Sequence, residues 1–169
     1  LLQIDFVTEL FRKAKETGIH TVIDTAGQPF TSEGEWFEKF RNLMQYTDLL
    51  LVDIKEMDPE KHRKLTGVRN ENILSMIRYL NEIGKPVWIR QVLVPGWTDA
   101  SEDLKKEREF LNGLSNVQKV EVLPYHTMGA YKWELLGIPY ALEGVKSPTA
   151  QQVRAAENIL GAGEHPQTS

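Results

Sequence analysis

The sequence contains no cysteine, so neither a disulfide nor a thiolate metal site can form within these residues. It has no apolar run near the roughly 20 residues that cross a bilayer. Its first residues lack the pattern of a secretory signal. Lysine and arginine are scattered and the formal net charge is −4, whereas a nucleic-acid-binding domain shows a basic stripe or patch. No G-x-G-x-x-G or G-x-x-x-x-G-K-[ST] follows a strand-like run, which lowers the dinucleotide and P-loop readings. H-E-x-x-H, an EF-hand loop and a Ser-His-Asp set are also absent. These absences point to a soluble, cytoplasmic chain with no nucleic-acid and no membrane partner.

What is present fits one ordinary domain. The 169 residues are 41% apolar, enough for a packed core. The chain begins at Leu1 rather than Met and enters a helical pattern at once, as a processed chain or a fragment would.

Val7, Leu10, Phe11 and Ala14 form the stripe of an amphipathic helix that Gly18 is placed to stop. "IHTVIDT" (19–25) reads as a strand, "GEWFEKFRNLMQY" (34–46) as a helix, and "LLLVDIK" (49–55) as the next strand. "DPEKHRKLTG" (58–67) has Asp58 as N-cap, Pro59 at the first helical position and Gly67 past the end. A stripe of Ile73, Met76, Ile77, Leu80 and Ile83 precedes a third strand, "VWIRQVLV" (87–94). "DASEDLKKEREFLNGL" (99–114) is a helix with Asp99 and Glu102 spaced as a capping box. "KVEVLPY" (119–125) is the fourth strand, and a last helix starts near Ser147–Pro148. Residues 161–169 read as a disordered polar tail.

Strands alternating with helices predict an α/β fold with a parallel sheet. A β/α barrel, whole or partial, fits better than a doubly wound sheet, and in barrels the chemistry sits where the strands end. All four predicted strands end in polar groups: Asp24 and Thr25, Asp53 and Lys55, Arg90 and Gln91, and His126. Alternation puts Leu49, Leu51, Asp53 and Lys55 on one face. Unpaired charges do not belong in a core, so that face must open to solvent or a ligand.

Each residue has a bland alternative. Asp24 and Thr25 can cap the next segment, and Asp53 with Lys55 can be a structural pair. Arg90 can sit in a buried ion pair, and His126 can be a satisfied hydrogen-bonding group. Together they would line one polar pocket suited to a zwitterionic, hydroxylated ligand, with carboxylates for an ammonium or ribose and Lys and Arg for a carboxylate.

Three longer stretches are more specific. "DIKEMDPEKHRKLTGVRNENIL" (53–74), "VWIRQVLVPGWTD" (87–99) and "LPYHTMGAYKWELLG" (123–137) resemble the glycyl-radical-enzyme activating enzymes, radical S-adenosylmethionine proteins. The resemblance runs from residue 1 to about residue 160. It implies a partial six-stranded β/α barrel, of which this chain carries strands three to six. The family's C-x-x-x-C-x-x-C loop, which holds a 4Fe–4S cluster, and its Gly-Gly-Glu motif have no counterpart here.

By position, the resemblance implies S-adenosylmethionine contacts at Asp53, Ile54, Lys55, Arg90, Val92 and His126. It also implies a monovalent-cation site at Asp24, Thr25, Asp53 and the carbonyl of Leu51. The implied reaction is reductive cleavage of S-adenosylmethionine, giving a 5′-deoxyadenosyl radical that abstracts a glycine Cα hydrogen. The implied partners are a glycyl radical enzyme and an electron donor such as flavodoxin. The "YKW" after "LPYH" leans towards pyruvate formate-lyase. An activator of another glycyl radical enzyme and a non-catalytic binding domain remain alternatives. A barrel starting at its third strand would leave "IHTVIDT" as an open edge, so self-association, or masking of that edge by the first helix, is also expected.

Overall fold

The computed structural model describes residues 1–162, and four parallel strands lie side by side in chain order. They are β1 (Val22–Thr25), β2 (Leu49–Asp53), β3 (Val87–Leu93) and β4 (Val117–Pro124). The helices are α1 (Ile4–Glu16), α2 (Gly34–Gln45), α3 (Pro59–Thr66), α4 (Glu71–Glu82), α5 (Ser101–Asn112), α6 (Ala130–Leu135) and α7 (Ala150–Leu160). Each sequential pair of strands is joined through helix, the parallel α/β arrangement expected from the sequence.

Alternation along β3 divides the sheet into two unlike faces. Val87, Ile89, Gln91 and Leu93 are buried, while Trp88, Arg90 and Val92 are half-buried. Ile23, Leu50, Val52, Val120 and Val122 join the buried face. Against it pack Phe40 and Leu43 of α2, Met76, Ile77 and Leu80 of α4, Leu104 and Leu111 of α5, and Leu160 of α7. The opposite face, with Leu51, Asp53, Trp88 and Arg90, adds no residue to that cluster, although Leu49 at the start of β2 is buried. A sheet covered on one side is what part of a barrel leaves, its inward face open.

The loop after β1 is anchored by aromatic packing. Phe30 is 2% exposed, and its ring meets Trp36, Phe37 and Phe40 edge to face at 5.4–6.1 Å. Gly27 in this loop has φ +82°, and a Cβ there would lie 3.0 Å from Ile73 of α4. Only glycine fits both constraints.

Several local expectations hold with shifted bounds. Asp58 caps α3 by accepting from the Glu60 and Lys61 amides at 2.9 Å, and Gly67 ends it with φ +84°. The first strand begins at Val22 rather than Ile19, and the fourth runs Val117–Pro124 rather than 119–125. The last helix starts at Ala150, capped by a Thr149–Gln152 box, not at Ser147–Pro148. The expected Asp99–Glu102 box does not form: Ala100 is the N-cap of α5, and Asp99 turns back to accept from the Gly96 amide at 2.8 Å. The α1 stripe is only partly used, since Val7 and Phe11 pack on the core while Leu10 is 50% exposed. The expected disordered tail falls on residues 163–169, outside the described residues, and on Gly161 and Ala162, which close α7.

Candidate functional site

The open face carries a chain of alternating charges at its upper rim. Arg90 stands opposite Asp53 in the β2–β3 register. Its Nε donates to Asp53 Oδ1 at 2.7 Å, and Lys55 Nζ donates to Asp53 Oδ2 at 2.6 Å. Arg90 also reaches past β2 to donate from Nη2 to Asp24 Oδ1 on β1. That crossing spans two strand spacings, roughly 9–10 Å, and only a long forked donor can bond both carboxylates across it.

The four formal charges cancel, and their exposures differ. The side chains of Asp53 and Arg90 are 15% and 16% exposed, while Asp24 is 60% exposed. Burial works against the Arg90 charge, but the hydrogen bond to Asp24 and the field of Asp53 outweigh it and raise its pKa above the ordinary arginine value. A neutral, ion-paired set at a rim can admit a zwitterion by exchange: a ligand ammonium replaces a cation on Asp24 or Asp53, and its carboxylate takes Lys55 or Arg90.

The other expected site residues fall around this chain unevenly. Val92 lies two residues beyond Arg90 on the same face and is half-buried. Leu51 is the register partner of Asp24 and is half-buried, on the same face as Asp53. Thr25 ends β1, and its Oγ1 accepts from the Gly27 amide at 3.0 Å. His126 follows β4, exposed, at the N-cap of a 3-10 turn (Thr127–Gly129). Ile54 is placed differently: its side chain is 2% exposed and belongs to the core cluster, and its amide extends the ladder to the Arg90 carbonyl. Any ligand contact from Ile54 is therefore through backbone.

The β4 part of this face is not marked by the strand-end pattern. Glu121 is the register partner of Arg90, and Lys119 Nζ lies 2.6 Å from its Oε1 and 4.6 Å from the Trp88 ring centroid. The signal was available, because Lys119, Glu121 and Leu123 alternate in "KVEVLPY". Glu121 stands level with Arg90 on the far side of β3, and the Trp88–Lys119 pair one step below it puts a cation on an aromatic ring. Among the described residues no group of three or more His, Cys, Asp or Glu could hold a metal ion.

A parallel β/α sheet covered on one face, with ionisable residues at its strand ends, is the architecture of part of a β/α barrel, a fold whose functional residues gather at the strand ends. The profile of the Radical SAM superfamily matches residues 1–108, and the chain belongs to that superfamily. It is 55% identical over 159 residues to a pyruvate formate-lyase-activating enzyme of Streptococcus mutans, covering 94% of this chain and 60% of the relative. It is 50% identical over 160 residues to the enzyme of the same name from Listeria monocytogenes, covering 95% and 64%. A solved domain of a pyruvate-formate lyase-activating enzyme from Bacteroides vulgatus superimposes with TM-score 0.75 at 26% identity, covering 95% of this chain and 86% of that one. The chain thus spans less than two thirds of the length of the curated relatives it matches.

Proposed function

We propose that this chain forms the S-adenosylmethionine-binding part of a glycyl-radical-enzyme activating enzyme, with pyruvate formate-lyase as its partner. The observation that carries this reading is the Asp24–Arg90–Asp53–Lys55 chain on the open face at the strand ends. The names of the S. mutans and L. monocytogenes relatives supply the partner.

The donor set suits the ligand. Asp53 takes the ammonium, Lys55 and Arg90 the carboxylate, and Val92 gives an apolar wall. His126, exposed and without a hydrogen bond among the described residues, is free to reach the remaining polar groups. Asp24, Thr25, Asp53 and the Leu51 carbonyl offer the oxygen ligands a hard monovalent cation prefers. With S-adenosylmethionine bound, one-electron reduction supplies hydrogen abstraction at a glycine Cα, and the chemistry is the cofactor's. This chain's residues bind, orient and exclude water. With no thiolate present, the ligands of a 4Fe–4S cluster are assigned outside these residues, the electron donor is of the flavodoxin kind, and the setting is the cytoplasm.

The test is direct. The chain is joined to the part of the S. mutans relative that lies outside the match, reconstituted with iron and sulfide, and reduced. Incubation with S-adenosylmethionine and pyruvate formate-lyase then yields a glycyl radical in electron paramagnetic resonance, while the 169-residue chain treated alike gives no cluster signal. A radical on a different glycyl radical enzyme alone would reassign the partner. A loaded cluster with no radical on any such enzyme would overturn the proposal.

Self-association belongs to the same reading. β1 is a sheet edge, and Val22 on it is 40% exposed. An unpaired edge templates further strand pairing. Sedimentation velocity is expected to show concentration-dependent growth in the micromolar range, and a monomer with exchange-protected 22–25 amides would refute it.

A further inference from the structure

The start of α4 touches both loops that leave the charged rim. Asn70 is its N-cap, a position where asparagine normally bonds the helix's own first amides. It makes no such bond. Its Nδ2 instead donates to the Glu56 carbonyl at 2.8 Å and the Met57 carbonyl at 2.9 Å, and the residue is 2% exposed. Those carbonyls lie one and two residues past Lys55, on the segment leaving β2.

Two residues on, Asn72 forms a reciprocal carboxamide pair with Gln28 on the loop leaving β1. Asn72 Nδ2 donates to Gln28 Oε1 at 2.8 Å, and Gln28 Nε2 donates to Asn72 Oδ1 at 3.2 Å. Ile73 then packs on Gly27, lying 3.0 Å from where a Cβ at Gly27 would stand. One helical turn therefore grips the segment that follows Asp24 and Thr25 and the segment that follows Asp53 and Lys55.

We propose that residues 70–73 are the positioning element of the candidate site, holding the two rim segments in register. Asn70, Asn72 and Gln28 are positioning residues that act through Asp53, Lys55 and Asp24. The physical need is plain: Arg90 bonds two carboxylates on two strands, and its fork satisfies both only while their spacing is fixed. Supporting contacts of this kind set the geometry of the groups that meet a ligand. The proposal rests on the S-adenosylmethionine reading for its ligand but not for its mechanical part.

The experiment uses the extended, cluster-loaded enzyme and reads two quantities, S-adenosylmethionine affinity and amide hydrogen exchange. Asn70→Ala and the nearly isosteric Asn70→Asp, whose carboxylate cannot donate, are expected to speed exchange at 54–58. Asn72→Ala and Gln28→Ala are expected to speed it at residues 26–28 and at Phe30. Each variant should weaken cofactor affinity by roughly tenfold, the scale of one or two lost hydrogen bonds. The Gln28→Ala/Asn72→Ala double variant should be no weaker than either single one, and exchanging the two carboxamides (Gln28→Asn with Asn72→Gln) should restore affinity. Gln28 lies on a half-buried loop, so this arm survives if Asn70→Ala does not fold.

Asp53→Ala is the reference. If it loses affinity while the Asn70, Asn72 and Gln28 variants keep it, the positioning proposal is overturned alone. If Asp53→Ala keeps affinity, the functional reading falls, and the exchange data still decide whether residues 70–73 hold the two loops.

Discussion

In the cluster-bearing enzyme, Asp53→Ala and Lys55→Met are expected to cut the glycyl radical yield strongly while leaving iron content unchanged. In the proposed function both residues meet the ligand's charged groups, and neither touches iron. A charge-assisted hydrogen bond is worth about 1.5–3 kcal/mol, so losing one weakens cofactor binding roughly 10- to 100-fold. The two variants should not be equal. Asp53 accepts from both Arg90 and Lys55, so Asp53→Ala breaks two contacts and leaves Arg90, 16% exposed, with only the exposed Asp24. Lys55→Met keeps the length of the side chain and removes one charge, leaving the Arg90–Asp53 bond in place. Asp53→Ala should therefore be the more severe. Radical amplitude by electron paramagnetic resonance and iron per chain are the measurements. Wild-type yield in both variants would make the chain of charges a structural rim feature and nothing more.

The legibility of this rim in the sequence follows from strand alternation. Asp53 and Lys55 interrupt an apolar run with period two, and Arg90 interrupts another, so their common face could be read without coordinates. What alternation cannot give is which carboxylate an arginine two strands away will choose. Asn70 shows a harder limit. Its place before "ENILSMIRYL" is that of an ordinary N-cap, and its turn towards Glu56 and Met57 depends on a loop 13 to 14 residues away. Asp99 shows the converse, because its spacing to Glu102 matches a capping box while its carboxylate closes the turn at Gly96 instead. Local competition between turn and helix decided that case. The resemblance groups Ile54 with Asp53 and Lys55, although alternation already sends its side chain into the core. The short helix α6 buries none of its residues, so no apolar stripe marks it in the sequence.

A second large effect lies on the covered side of the sheet and concerns stability against pH. Glu107 of α5 is 1% exposed, packed near Glu56, Gln91 and Asp103, and its Oε1 has no hydrogen-bond partner. Burial, with a smaller push from the Glu56 charge, raises its pKa to about 8. The folded state therefore holds a proton on Glu107 that the unfolded chain releases near the ordinary glutamate value of 4.5. With more protons bound in the folded form, stability falls as pH rises. The loss begins near pH 4.5, is complete near pH 8, and amounts to several kcal/mol, at about 1.4 kcal/mol per pH unit. Glu56, whose pKa burial also raises, adds a slope of the same sign. Asp48 acts elsewhere: its pKa is held at about 2, because Lys15 and Thr21 outweigh its burial, so its contribution is lost only in acid. Glu107→Gln keeps the shape and removes the titration. Urea unfolding at pH 5.5, 7.0 and 8.5 should show the wild-type chain losing stability across the series. The variant should lose far less and be the more stable of the two at pH 8.5. Parallel pH slopes in the two proteins would mean that Glu107 is ionised in the folded state, with a cationic or water partner that offsets its burial.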